Sequence, residues 1–242
     1  SINGLLTSVD SIGQINSFDY NQLDKFYGEM EQHIAGMKEE GADAVILYIH
    51  WGNEYQFSPT NAQKTIAQKM CDLGVDIIVG GHPHVIQPME LLTATTDPDQ
   101  KTICLYSTGN AVSNQRRSLM NLKTGHTEDG IMISFSFTKY SDGTVALERT
   151  EVLPTWVRLF KENGKNVYNV LPLDKTISDW KTAFNLTETD VGHAQSSYER
   201  TMALVSEGLA EVQTYLESEK NSRQQVFDAI YQGELKEYQG KI

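Results

Sequence analysis

Two short apolar runs constrain this chain more than any other feature. They are Ala44-Val45-Ile46-Leu47-Tyr48-Ile49 and Val75-Asp76-Ile77-Ile78-Val79. Each follows a helical pattern. Leu23, Phe26, Tyr27, Met30, Ile34 and Met37 recur at helical spacing before Gly41. Ile66, Ala67, Met70 and Leu73 share one face of a second helix, about 61–73, which Gly74 stops. Helix, strand, helix, strand with short connections predicts a parallel sheet with helical crossovers. Runs that are apolar throughout predict strands covered on both faces.

The pattern changes afterwards. Strands are expected at 85–92, 102–106, 131–140 and 145–152, with a hairpin turn at Ser141-Asp142-Gly143. A second turn, Glu162-Asn163-Gly164-Lys165, links runs at 156–160 and 167–171. This half of the sheet region reads as mixed or antiparallel. From about Gly192 the chain turns helical. Tyr198, Met202, Val205, Leu209, Val212 and Leu216 form a narrow apolar seam, and a shorter helix is expected near 224–238. The expected fold is α/β, mixed sheets flanked by helices with a C-terminal helical pair. The expected division is a domain over 1–175 and a helical extension over 176–242.

Chemistry concentrates where the strands end. His50 closes the first run and leads into Trp51-Gly52-Asn53-Glu54. The second opens into Gly80-Gly81-His82-Pro83-His84. Ligands of open α/β sheets gather beyond the carboxyl ends of strands. Pro83 stiffens the backbone between two imidazoles, and imidazole suits Zn, Fe and Mn. His50, His82 and His84 are therefore candidate metal ligands. Three imidazoles can hold one zinc. A two-metal hydrolytic centre needs carboxylates and usually an amide oxygen as well. Asn53 and Glu54 are the nearby candidates, and Asp76 and Glu90 are weaker ones. Asn110, in Tyr106-Ser107-Thr108-Gly109-Asn110, leaves a third strand-like run, and Arg116-Arg117 could bind an anion. Ser107 lacks the context of a nucleophile elbow. His33 and His126 read as surface residues. Cys71 and Cys104 read as buried thiols.

Composition excludes some partners. Twenty Lys and Arg stand against 32 Asp and Glu, a formal charge of -12. Such a chain is unsuited to nucleic acid or anionic lipid, which demand basic surface. No segment approaches the roughly 18 apolar residues of a membrane span. Any membrane anchor is expected upstream of the first residue.

The stretch from His50-Trp51-Gly52-Asn53-Glu54-Tyr55 through Pro59, Gln63, Ala67 and Leu73 to Gly74-Val75-Asp76-Ile77-Ile78-Val79-Gly80-Gly81-His82-Pro83-His84-Val85-Ile86-Gln87-Pro88-Met89-Glu90 resembles the bacterial capsule-synthesis CapA family. That family is also called PgsA-like, for poly-γ-glutamate biosynthesis, and belongs to the calcineurin-like metallophosphoesterases. Tyr106-Ser107-Thr108-Gly109-Asn110 with Gln115 resembles its next motif, with Thr108 and Ala111 where the family usually has Leu and Phe. The resemblance covers about residues 1–160. It implies a layered sandwich with two central sheets. It implies His50, His82 and His84 as catalytic ligands of a dinuclear divalent centre (Mn, Fe or Zn), and a phosphoesterase-like hydrolase at the bacterial cell surface. Asn53, Glu54, Asn110 and Arg116 become outer-shell or substrate residues. An anionic polymer or phosphorylated precursor becomes the expected substrate. The family's earlier metal motifs are absent from these residues, so the chain resembles the later part of such a protein. A second copy or partner segment is then expected to complete the fold. Two alternatives stand beside this reading: a non-catalytic binding module and a mononuclear zinc hydrolase.

Overall fold

The structure is a computed structural model that describes residues 16–174 and 176–239. It divides into two compact units, Ser1–Ala42 and Asp43–Ile242. The described part of the first carries helix α1, Leu23–Glu39. Phe18 stacks on Phe26 of this helix with ring centroids 4.5 Å apart.

The second unit begins with strand β1 (Ile46–His50), helix α2 (Asn61–Asp72) and strand β2 (Ile77–Gly81). Strands β3 (Ile86–Thr93) and β4 (Lys101–Thr108) follow. The sheet order is β1-β2-β4-β3. Its first three strands are parallel, and β3 runs antiparallel to β4. Consecutive Ile77 and Ile78 are both fully buried, so β2 is covered on both faces as expected. β1 departs from that expectation. It is an edge strand, and Ile46 (53%) and Tyr48 (70%) are exposed on one face. The apolar run therefore reports strand propensity there, not two-sided burial.

Strands β5 (Asp129–Lys139), β6 (Val145–Glu162) and β7 (Lys165–Pro172) form a second, antiparallel sheet. The runs at 145–152 and 156–160 are one strand that passes through Pro154. Pairing with β7 starts at Thr155, so Pro154 leaves no gap in that ladder. Helix α3 (Ile177–Ala183) precedes α4, Glu188–Gln239. The two helical stretches read near 192–216 and 224–238 are continuous within α4, because no Gly or Pro separates them. Among its seam residues, Val205, Val212 and Leu216 are buried against Ile86, Met89, Ile103, Leu105 and Ile131, joining both sheets. Gly208 permits this approach, since a Cβ there would collide with the Met89 carbonyl oxygen. Cys71 and Cys104 are buried free thiols, as expected. Among the described residues no helix is long and apolar enough to cross a membrane.

Candidate metal-binding histidine site

The parallel register sets His50, the last residue of β1, against Gly81 of β2. One residue further, the chain reaches His82. The two imidazoles lie 4.5 Å apart between centroids, and His82 and His84 lie 6.2 Å apart. The three candidate ligands thus meet at one sheet end.

This turn is strained. His82 and His84 adopt φ values of 101° and 59°, and the facing Tyr55 adopts 61°. Positive φ in a non-glycine residue costs on the order of 1–3 kcal/mol and gathers at functional sites. A backbone hydrogen bond from Tyr55 N to Pro83 O, 2.7 Å, ties the strained segments together. Gly80 supplies the close approach behind them. A Cβ there would collide with the Tyr106 carbonyl oxygen and lie 2.5 Å from Trp51 Nε1.

Two buried glutamines hold the loop after β1. Gln63 Nε2 donates to Gln87 Oε1 at 2.8 Å, and Gln87 Nε2 donates to the carbonyls of Gln56 and Ser58. Gln63 also completes a capping box with Thr60 at the start of α2. The Thr60-x-x-Gln63 spacing carried that signal. The reach from Gln63 to Gln87 was not legible in the sequence.

Asn110 orients His84. Its amide nitrogen donates to the carbonyls of His84 (3.2 Å) and Thr127 (3.0 Å). Its Oδ1 therefore accepts from His84 Nδ1–H at 2.8 Å. The lone pair of His84 is left on Nε2, which faces Glu54 Oε1 at 3.8 Å. Such an outer partner fixes the tautomer of a ligating histidine. Burial and then the His82 and His84 rings hold His50 below its ordinary pKa. Burial likewise lowers His82, with His84 adding to it and Glu54 opposing. Neutral imidazole is the ligand form. His82 Nδ1 is buried without a hydrogen-bond partner among the described residues.

The donor chemistry fits a divalent transition metal, but the placement of the donors does not complete a site. Among the described residues no group of three or more His, Cys, Asp or Glu is placed to hold an ion. Asn53 turns to Gln56 within its own loop. Asp76 lies at the start of β2, away from the histidines, and accepts from Val45 N at 2.7 Å. Exposed Glu90 accepts from Tyr106 Oη. Arg116 is buried, with its guanidinium on Val157 O and Glu128.

His33 is exposed as expected, but His126 is not a plain surface residue. Its ring packs on Phe57 with centroids 4.4 Å apart, across about 70 residues of sequence that gave no signal. Burial pushes His126 down to about 4, with Arg200 and Arg117 adding to it. A histidine held below its unfolded pKa of about 6.5 contributes stability that is complete above that pH and falls as pH drops through the folded value. Urea unfolding of the wild type is expected to weaken from about pH 6.5 to pH 4 more steeply than that of His126→Gln. Parallel profiles would show that His126 is not the group responsible.

Residues 9–115 match the family profile described as bacterial capsule synthesis protein PGA_cap. Over that stretch the chain is similar to the PGA_cap family. The match contains the whole histidine turn and ends just past Asn110. The chain is 30% identical over 156 residues to the PGA biosynthesis protein CapA of Bacillus subtilis (strain 168), covering 63% of this chain and 37% of that protein. It is 41% identical over 78 residues to the capsule biosynthesis protein CapA of Bacillus anthracis, 32% of this chain and 17% of that protein. The chain thus spans well under half the length of either relative. The whole of α4 lies beyond the PGA_cap match, yet this helix buries the sheet that carries the site.

Proposed function

We propose that this chain is the part of a capsule, or poly-γ-glutamate, biosynthesis protein that carries half of a metal-dependent hydrolytic centre. The observation that carries the reading is the strained His82-Pro83-His84 turn, set against His50 and locked by Asn110. His50, His82 and His84 would hold a divalent transition metal (Mn, Fe or Zn), in a dinuclear centre once further ligands are supplied. That ion would bring Lewis-acid activation of water and of the bond to be cleaved. Within the chain, Asn110 keeps the proton on His84 Nδ1 and so leaves the Nε2 lone pair for the ion, with Glu54 beside it. The site of action is the bacterial cell surface. An anionic polymer or a phosphorylated precursor is the substrate class, and a second copy or a partner segment supplies the missing ligands.

The incomplete donor set favours one second reading, a binding or assembly module that keeps the turn without turnover. Elemental analysis of protein purified without chelator separates the two. About two transition-metal ions per chain, lost in His82→Ala, are expected for a completed centre. One zinc would indicate a mononuclear hydrolase. No metal in folded protein would overturn the catalytic reading.

A further inference from the structure

The Arg116-Arg117 pair invites an anion, but the fold divides its members. Arg116 is enclosed, and Arg117 stays partly open to solvent. Arg117 grips Glu128 with Nε and Nη2 at 3.1 and 3.0 Å. Arg200 of α4 grips Asp129 in the same way, at 2.9 and 2.7 Å. Both forks reach Gly125. A Cβ there would collide with Arg117 Nη2, and Arg200 Nη2 lies 3.4 Å from the Gly125 carbonyl. These bonds leave Nη1 of each fork outside the carboxylate pairs. Three guanidinium groups share two carboxylates here, a local excess of one positive charge in a chain of formal charge -12. The neighbouring Asp190 is engaged by Arg158. His126 follows Gly125. Its Nδ1 meets the Thr124 hydroxyl at 2.6 Å, so Nε2 is the nitrogen left for a ligand.

We propose that Arg117, Arg200 and His126 form an oxyanion subsite beside the histidine centre, taking a phosphate or carboxylate group of the ligand. Two contacts connect it to that centre. Phe57, against His126, sits on the loop that carries Glu54. Thr127, next to His126, accepts from the Asn110 amide that orients His84. Guanidinium edges match the acceptors of either oxyanion, as does the imidazole in the tautomer where Nδ1 accepts from the Thr124 hydroxyl and Nε2 carries the proton. The subsite rests on the reading above in one respect, that both sites serve one ligand. It deepens that reading by assigning the ligand's charged group.

Binding can be read without turnover and in the presence of chelator, so its failure is separate from failure of the metal reading. The probe is the His126 ring C2–H resonance of the full chain, assigned by its loss in His126→Gln. Titrants are inorganic phosphate and γ-glutamylglutamate. A saturable shift is expected, weakened about tenfold in Arg200→Gln and restored in part in Arg200→Lys. A response to phosphate alone assigns a phosphoryl group. A response to the peptide alone assigns a carboxylate. A resonance that neither probe moves at tens of millimolar, in folded wild-type protein, overturns the subsite. A shift of equal size and affinity in Arg200→Gln overturns it too.

Discussion

Replacing Glu128 with alanine is expected to cost about 3–5 kcal/mol, the range for removing one partner of a buried ion pair. The side chain is 1% exposed, accepts four hydrogen bonds and forms an ion pair with Arg116. Oε1 takes Arg117 N and Nε, Oε2 takes Arg117 Nη2 and Trp156 Nε1, and Arg116 Nη2 pairs with Oε2 at 3.2 Å. Burial pushes its carboxyl up, and the hydrogen bonds and charge of Arg117 and Arg116 bring it below the ordinary value. Removal leaves two guanidinium groups and an indole N–H without their acceptor. Against a typical total stability of about 5–15 kcal/mol, such a variant is marginal. Glu128→Gln keeps the shape and two acceptor lone pairs, so it should lie between. Urea unfolding measures both. A loss below about 1 kcal/mol in Glu128→Ala would mean that the arginines turn to water without penalty.

The second large effect is at Gly80. Alanine places a methyl group against the Tyr106 carbonyl oxygen and Trp51 Nε1, which bond to each other at 2.9 Å. Backbone cannot swing aside as a flexible side chain does. Either β2 separates from β4, or the buried indole loses its acceptor. Overpacking costs about 1–3 kcal/mol and the orphaned N–H adds about 1–3 kcal/mol, so a loss of about 2–6 kcal/mol is expected. That corresponds to a fall in Tm of roughly 10 °C for a domain of this size. Gly80 lies two residues before His82, so a metal held as proposed should be lost along with stability. A Gly80→Ala protein of unchanged Tm would show that Trp51 has another rotamer available.

Much of the sheet was legible because its cues are local. Apolar runs bounded by glycine define β1 and β2, and the turn residues at 141–143 and 162–165 define the hairpins. Placing His50 beside His82 required only that the two runs be parallel neighbours. Other features were not legible because their cues are distant. Arg200 reaches Asp129 across 71 residues, and His126 finds Phe57 only after the sheets have packed. The exposure of Ile46 and Tyr48 depends on β1 taking the edge position, which an apolar run does not specify.

By itself the sequence determined the alternation of helices and strands, the turns, and the three histidines at strand ends. Those follow from periodicity, glycine placement and side-chain chemistry, all set within a few residues. Only the tertiary structure decided which groups are enclosed, which arginine stays open, and which nitrogen of His84 keeps its proton. These depend on burial and on hydrogen-bond partners that packing brings together from distant parts of the chain.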